Sequence, residues 1–314
     1  MKIGIFGGTG FIGSYLAVEC VAAGHHPVLL VRTGSRDKVP APEHVRTVYG
    51  TLSDETAIRD VLDGADAAIY SVGLIREFPR RGITFEELHV QAFRRVLRIA
   101  EETGVRRVLL ISANGADPDG TAYQRSKYKA EEYLRASPLE GVILRPSIVF
   151  GDPGEKFEFT TMVRDSIVFP PVPVPLFFGG INVGSAGTFS LAPVHVKDVA
   201  NVAIRSLTTP EAGNAYDLCG LDIFTWRELV GIIATAVERK KIMLPVPAIA
   251  IRLAASIFDR YGWFPITRDQ LVMLLEGNVC KTGSVFSRFN IDPTPFNVHS
   301  LGYLNGNNQK EQNQ

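Results

Sequence analysis

Short apolar runs alternate with longer amphipathic stretches through the first half of the chain. Residues 3–6 form an apolar run that stops at Gly7, and 11–23 reads as a helix closed by Gly24. Further apolar runs follow at 27–31 and 45–49, with a helix over 55–62 between the latter and a fourth run at 67–72. A long helix over 85–102 ends at Gly104, a fifth strand covers 107–112, a charged helix covers 123–135, and a sixth strand covers 142–145. This strand–helix rhythm predicts an α/β fold, a doubly wound parallel sheet with helices on both faces. Right-handed crossovers place every strand's C-terminal end on one edge, where such sheets bind ligands.

After Gly151 the pattern changes. Residues 166–187 are rich in Pro, Phe and Gly, and Pro171, Pro173 and Pro175 exclude a central strand or a helix interior, so a long loop or lid is expected. A strand at 193–196 and a helix from Asp198 return to the first domain. A helix over 225–237 opens with Thr225 as N-cap and Glu228 three residues on, the pattern of a capping box. The expected organisation is a nucleotide-binding domain over 1–150 with 193–208 returning to it, a smaller α-rich substrate or interaction domain over 151–192 and 209–304, and a polar, disordered tail over 305–314.

The first strand runs straight into Gly7-Gly8-Thr9-Gly10-Phe11-Ile12-Gly13 and then into the first helix. This is a Rossmann-type dinucleotide loop: one glycine for the turn, one for close approach of backbone to pyrophosphate, one for helix–strand packing. The diphosphate sits on the helix N-terminus, where free N–H groups favour negative charge. Gly7, Thr9, Gly10, Phe11, Ile12 and Gly13 are therefore candidate cofactor residues. Ser71, Val72 and Gly73, at the exit of the fourth strand, are placed with them. An NAD site usually carries an acid at the end of the second strand, about 20 residues downstream. Here Val31 is followed by Arg32, whose guanidinium can clamp a 2′-phosphate, with Ser35 and Arg36 nearby. The cofactor expected is NADPH, preferred over NADH.

Tyr123-Gln124-Arg125-Ser126-Lys127 puts a phenol and an ammonium four residues apart on one helix face. Lys127 is expected to lower the phenol's pKa and to hold the nicotinamide ribose, and Tyr123 to exchange a proton with a carbonyl or alcohol while hydride moves.

With these motifs the chain resembles the extended and atypical short-chain dehydrogenase/reductases. Arg145-Pro146-Ser147-Ile148-Val149-Phe150-Gly151 and Pro193-Val194-His195-Val196-Lys197-Asp198-Val199 add to the likeness. The resemblance implies that Pro146, Ser147 and Ile148 pass beside the nicotinamide. It also implies a catalytic hydroxyl after the fifth strand, often the second of two. Here the run is Ser112-Ala113-Asn114-Gly115, so Ser112 matches the first place and the second holds Ala113. The segments Leu244-Pro245-Val246-Pro247, Pro265-Ile266-Thr267-Arg268-Asp269-Gln270 and Phe289-Asn290-Ile291-Asp292-Pro293-Thr294-Pro295-Phe296 are similar to an atypical branch. That branch contains the NADPH-binding accessory subunit of respiratory complex I and its bacterial relatives. It implies either an oxidoreductase or epimerase-like enzyme, with Tyr123, Lys127 and Ser112 catalytic, or a non-catalytic subunit that holds NADPH.

Composition narrows the rest. Lys+Arg and Asp+Glu both number 33, so the basic excess that nucleic-acid binding draws on is missing and no such partner is expected. The expected partner is a small-molecule substrate or another subunit. Cys20, Cys219 and Cys280 lie far apart, and the reading is three buried thiols in a reducing compartment, with no metal site and no disulfide. No leader precedes the first strand and no apolar run reaches about 18 residues, so a cytoplasmic protein is expected. Two apolar stretches, 247–258 with Tyr261, Trp263 and Phe264, and 167–178 with Phe177 and Phe178, are candidates for docking to a partner or peripherally to the cytoplasmic face of the inner membrane.

Overall fold

A computed structural model describes residues 1–179, 182–209, 214–249, 267–280 and 285–305. The strands in chain order are β1 Lys2–Phe6, β2 His26–Val31, β3 Arg46–Tyr49, β4 Ala67–Tyr70, β5 Arg107–Ile111, β6 Glu140–Pro146 and β7 Val149–Phe150. They continue with β8 Val174–Phe178, β9 Ser190–Leu191, β10 Val194–His195, β11 Ala215–Leu218, β12 Phe224–Thr225 and β13 Met243–Pro247. The helices used below are α1 Phe11–Ala22, α2 Glu55–Leu62, α3 Ala92–Glu102, α4 Ala122–Ala136, α5 Phe159–Val163, α6 Val196–Ser206 and α7 Trp226–Ala236.

Two units divide the chain. The first takes Met1–Pro146, Val196–Leu218 and Val285–Asp292, and the second takes Ser147–His195, Cys219–Ser284 and Pro293–Gln314. The first unit is the expected Rossmann-type sheet. Its strand order is β3-β2-β1-β4-β5-β6-β11, every neighbour parallel. The order reverses between β1 and β4, the switch point at which such sheets open a crevice. Both faces are covered, so the strands read as apolar runs: Ile3, Ile5 and Phe6 of β1 are fully buried. On one face Phe6, Val28, Ala68 and Leu110 pack against Ile58 and Val61 of α2, Phe93 and Val96 of α3, and Ala130 and Leu134 of α4. α1 and α6 pack against each other. Caps fix the helix starts: Asp54 accepts from the Ala57 N–H, and Thr121 with Gln124 forms a reciprocal capping box.

Two local departures matter for function. The helix expected over 85–102 begins with a π-type turn, Glu86–Gln91, before α3 takes over. Ala215–Leu218, within the 209–304 stretch expected in the smaller domain, pairs with β6 as the seventh strand of the sheet.

The second unit is built from short pairings: β7 with β10, β9 with β12, and β8 with β13. Its core centres on Trp226, 1% exposed, with Phe159, Phe177 and Phe189 around its ring. The Thr225/Glu228 capping box forms as expected. The proline-rich stretch expected as a loop contains β8. Pro175 is tolerated because β8 pairs with a strand on one side only, while on the other the Trp226 indole N–H donates to the Pro175 carbonyl at 2.9 Å and the Gly187 N–H to the Phe177 carbonyl at 2.8 Å. Phe177 and Phe178, read as docking residues, are instead buried in this core. Of that stretch, Phe169 and Val172 are the exposed large apolar residues, at 38% and 54%. Most of the other docking stretch (250–266) and the tail from 306 onward lie outside the described residues.

The cysteine reading is corrected by the structure. Cys219 and Cys280 form a disulfide across 61 residues, with Cα atoms 5.8 Å apart. The β9 exit gathers both ends: the Gly220 N–H donates to the Ala192 carbonyl, and the Ala192 N–H donates to the Asn278 carbonyl. No sequence spacing signals this, because the proximity is created by a third segment. Cys20 alone remains the buried thiol expected, its pKa pushed up to about 12 by burial.

Candidate cofactor-binding and active site

The glycine loop leaves β1 at Gly7, whose φ of +89° only glycine adopts readily. A Cβ on Gly13 would stand 2.0 Å from the Gly7 carbonyl oxygen, so no larger residue fits where α1 crosses the strand end. At Gly10 a Cβ would meet nothing closer than that carbonyl at 3.2 Å, and the residue is exposed. The backbone there is open to a ligand's close approach. Gly10 caps α1 without a side chain, and the helix has no acid in its first turn. The N–H groups of Phe11, Ile12 and Gly13 thus form an uncontested anion site. Thr9, Phe11 and Ile12 are half-exposed around it. Next to Gly7, the Ser71 hydroxyl is buried without a hydrogen-bond partner among the described residues. An orphaned hydroxyl and a cradle of bare backbone are what a bound dinucleotide would fill, and these residues fit one.

Arg32 follows β2 directly and is exposed, with no ion pair among the described residues. Its neighbours differ. Ser35 is buried and donates its N–H to the Arg32 carbonyl at 2.8 Å, while Arg36 lies over the Tyr49 ring at 4.4 Å. Val72 packs against the sheet core and Gly73 is exposed.

α4 brings Tyr123 and Lys127 to this edge. A Cβ on Gly73 would lie 3.6 Å from the Lys127 Nζ. The ammonium is buried, 4% exposed, and donates to the Ile111 carbonyl at the end of β5 at 3.1 Å. Burial brings its pKa down to about 8, against the opposing charge of Glu131. The Tyr123 phenol is half-buried and hydrogen-bonded to no described residue. Lys127 was expected to lower its pKa, but burial pushes it up to about 12. The phenol therefore keeps its proton at neutral pH.

Ser112 sits elsewhere in the chemistry. Its buried hydroxyl donates to Glu131 Oε1 at 2.6 Å. Glu131, 0% exposed, also accepts from Arg145 Nε and Arg135 Nη2, each at 2.8 Å. Burial by itself would raise that carboxyl, but the bonds from Arg145 and Ser112 hold it below the usual range. Arg145 of the quoted motif is thus a structural partner of Glu131. Pro146 ends β6 and accepts from the Asn114 N–H at 2.9 Å. Ser147 and Ile148 belong to the second unit, where the Ser147 hydroxyl donates to the Ala192 carbonyl at 2.5 Å and Ile148 packs on the core.

Sequence reading missed His89. It is 1% exposed in the π-type turn, stacked on Phe85 with centroids 5.4 Å apart and edge-on to Tyr123 at 5.7 Å. A lone histidine in an apolar helix stretch gave no signal.

A family model described as NAD(P)H-binding matches residues 7–167. The chain is similar to "NADH dehydrogenase [ubiquinone] 1 alpha subcomplex subunit 9, mitochondrial" of Arabidopsis thaliana, at 27% identity over 300 residues, covering 90% of this chain and 70% of the relative. It is similar to a "Ceramide reductase" of Caulobacter vibrioides, at 26% identity over 272 residues, covering 86% of this chain and 80% of that protein. In structure it resembles the UDP-glucose 4-epimerase of Thermus thermophilus, solved with NAD, at a TM-score of 0.72 and 19% identity over 98% of each chain. That last likeness shows the fold. Together the matches bear out the kinship read from the motifs and the binding of a nicotinamide cofactor. Among the described residues no helix is long and apolar enough to cross a membrane.

Proposed function

We propose a function from one premise: the chain belongs to the NAD(P)H-binding family. Within it, the chain acts as an NADPH-dependent oxidoreductase or epimerase-like enzyme on the carbonyl or hydroxyl carbon of a small molecule. One observation carries the reading. A phenol with no hydrogen-bond partner among the described residues stands one helical turn from a buried ammonium, and that ammonium lies beside the exposed Gly73. Arg32 supports a 2′-phosphate, because no acid stands at the end of β2 to repel one.

NADPH, when bound, supplies the hydride. Gly10 and the first turn of α1 would hold the diphosphate, Arg32 the 2′-phosphate and Lys127 the ribose hydroxyls. Tyr123, protonated at neutral pH, would give its proton to the substrate oxygen as charge develops there during carbonyl reduction. The relative named as a reductase fits that direction. The test is multiple-turnover consumption of NADPH with a panel of carbonyl compounds. Tyr123→Phe should lower kcat by about 100-fold or more. NADPH retained by the protein and oxidised by no compound contradicts catalysis.

A second reading has its own observation. The Ser112 hydroxyl donates a hydrogen bond to the Glu131 carboxylate, so the hydroxyl expected to assist a substrate oxygen is already engaged. On this reading NADPH stabilises the folded chain as part of a larger respiratory assembly, in keeping with the name of the relative from Arabidopsis thaliana. The exposed Val172, Ile242 and Leu244 of the second unit then face a partner subunit or a membrane surface. The Cys219–Cys280 disulfide counts against the reducing cytoplasm expected from the sequence.

A further inference from the structure

His89 joins the two walls of the nicotinamide side. The Leu74 N–H, just past the β4 exit, donates to His89 Nε2 at 3.2 Å. Nε2 is therefore the acceptor and the ring proton sits on Nδ1, 2.8 Å from the Ser126 hydroxyl. That hydroxyl in turn donates to the Tyr123 carbonyl at 2.7 Å, inside α4. One imidazole thus ties the loop carrying Gly73 to the helix carrying Tyr123 and Lys127. Its ring also packs between Phe85 and Tyr123, whose own rings meet edge-on at 5.6 Å.

Only a neutral imidazole makes this pair of bonds, because the cation has no acceptor. The site keeps it neutral: burial, then the nearby Lys127 charge, lowers its pKa to about 2. The π-type turn supplies the placement. One extra residue in a helical turn rotates the side chains that precede it by about 100° relative to a continuous α-helix. Here the turn leaves His89 and Val90 both buried ahead of α3.

We propose that His89 is a positioning residue that sets the separation of the β4 exit and α4, and so the grip on the nicotinamide half of the cofactor. This rests on the NADPH reading above. In a sheet of this order the adenosine half lies over β2 and the nicotinamide half over β4 and β5. His89 touches only the latter side, so its loss should divide the two halves.

The experiment measures dissociation constants of NADPH and of 2′,5′-ADP, which lacks the nicotinamide half, for the full chain. His89→Phe keeps an aromatic ring and loses both bonds. It should weaken NADPH by about tenfold and leave 2′,5′-ADP within about twofold. His89→Asn offers one acceptor and one donor and should recover most of the NADPH affinity. Ser126→Ala, which leaves the imidazole in place, should show the same split at about threefold and serves where His89→Phe does not fold. Equal weakening of both ligands, no change in NADPH, or no recovery with Asn overturns the proposal. Wild-type protein that binds 2′,5′-ADP and NADPH alike also overturns it, since no nicotinamide grip exists to be set. Wild-type protein that binds neither overturns the NADPH reading itself.

Discussion

The two units obey different rules of assembly. In the first, each strand pairs in parallel with neighbours brought over by a helix, and its chemistry sits on strand ends and one helix face. In the second, pairings of two to five residues are held by a shared aromatic core and by Cys219–Cys280. The first unit's candidate groups are backbone N–H groups, a phenol and an ammonium, which suit a cofactor shared by many enzymes. The second unit presents exposed side chains such as Val172, Leu221 and Ile223, the kind of variable surface that selects a substrate or a partner. The comparison teaches that the reaction class is to be sought in the first unit and its target in the second.

The harshest way to break the first unit is Gly13→Ala. The added Cβ falls 2.0 Å from a backbone oxygen, so α1 must move off the strand end. We expect a loss of about 4 kcal/mol or more in stability by chemical denaturation, and no measurable NADPH binding. Near-wild-type values would mean that the loop is not packed as described.

For the second unit the corresponding change is removal of the disulfide. Cys280→Ser should cost about 2–4 kcal/mol, read as a lower thermal midpoint. A thiol count sharpens it: the denatured, unreduced chain should show a single reactive thiol, that of Cys20. Three thiols would remove the contrast between the units.

Lys127→Met probes the first unit with two opposite signs. A Lys pKa lowered to about 8 from an ordinary 10.5 means that the native state sheds its proton first. Below pH 8 the cost of the buried charge is present in full, and stability rises with pH from about 8 to 10.5. The Met variant should be more stable than the wild type by about 1–2 kcal/mol at pH 7 without cofactor, and lack that pH dependence. It should also bind NADPH about tenfold more weakly. A variant less stable at pH 7 would show that the bond to Ile111 outweighs the buried charge.

The same contrast explains what could be read from the residues. Helix 55–62, the strand end at Gly7, and the Thr225/Glu228 cap were legible because their signals are local: period, punctuation and capping chemistry. The cofactor edge followed from them, since parallel crossovers bring strand ends together. What depends on distant segments was not legible. β8 needs β13 to exist as a strand, the Cys219–Cys280 bond is gathered by the segment after β9, and Phe177 is buried in a core to which α7 brings Trp226. His89 and the engagement of Ser112 by Glu131 failed for the same reason, as each partner comes from another element. The phenol's raised pKa reflects burial, which no i, i+4 spacing reports.

The central claim is a dinucleotide with a 2′-phosphate on the first unit's edge. Its most direct test is the pair of dissociation constants for NADPH and NADH, for the wild type and for Arg32→Ala. NADPH should bind the wild type at least about tenfold more tightly, and the advantage should vanish in the variant. Tighter binding of NADH, or a preference for NADPH that survives the loss of Arg32, would contradict the account.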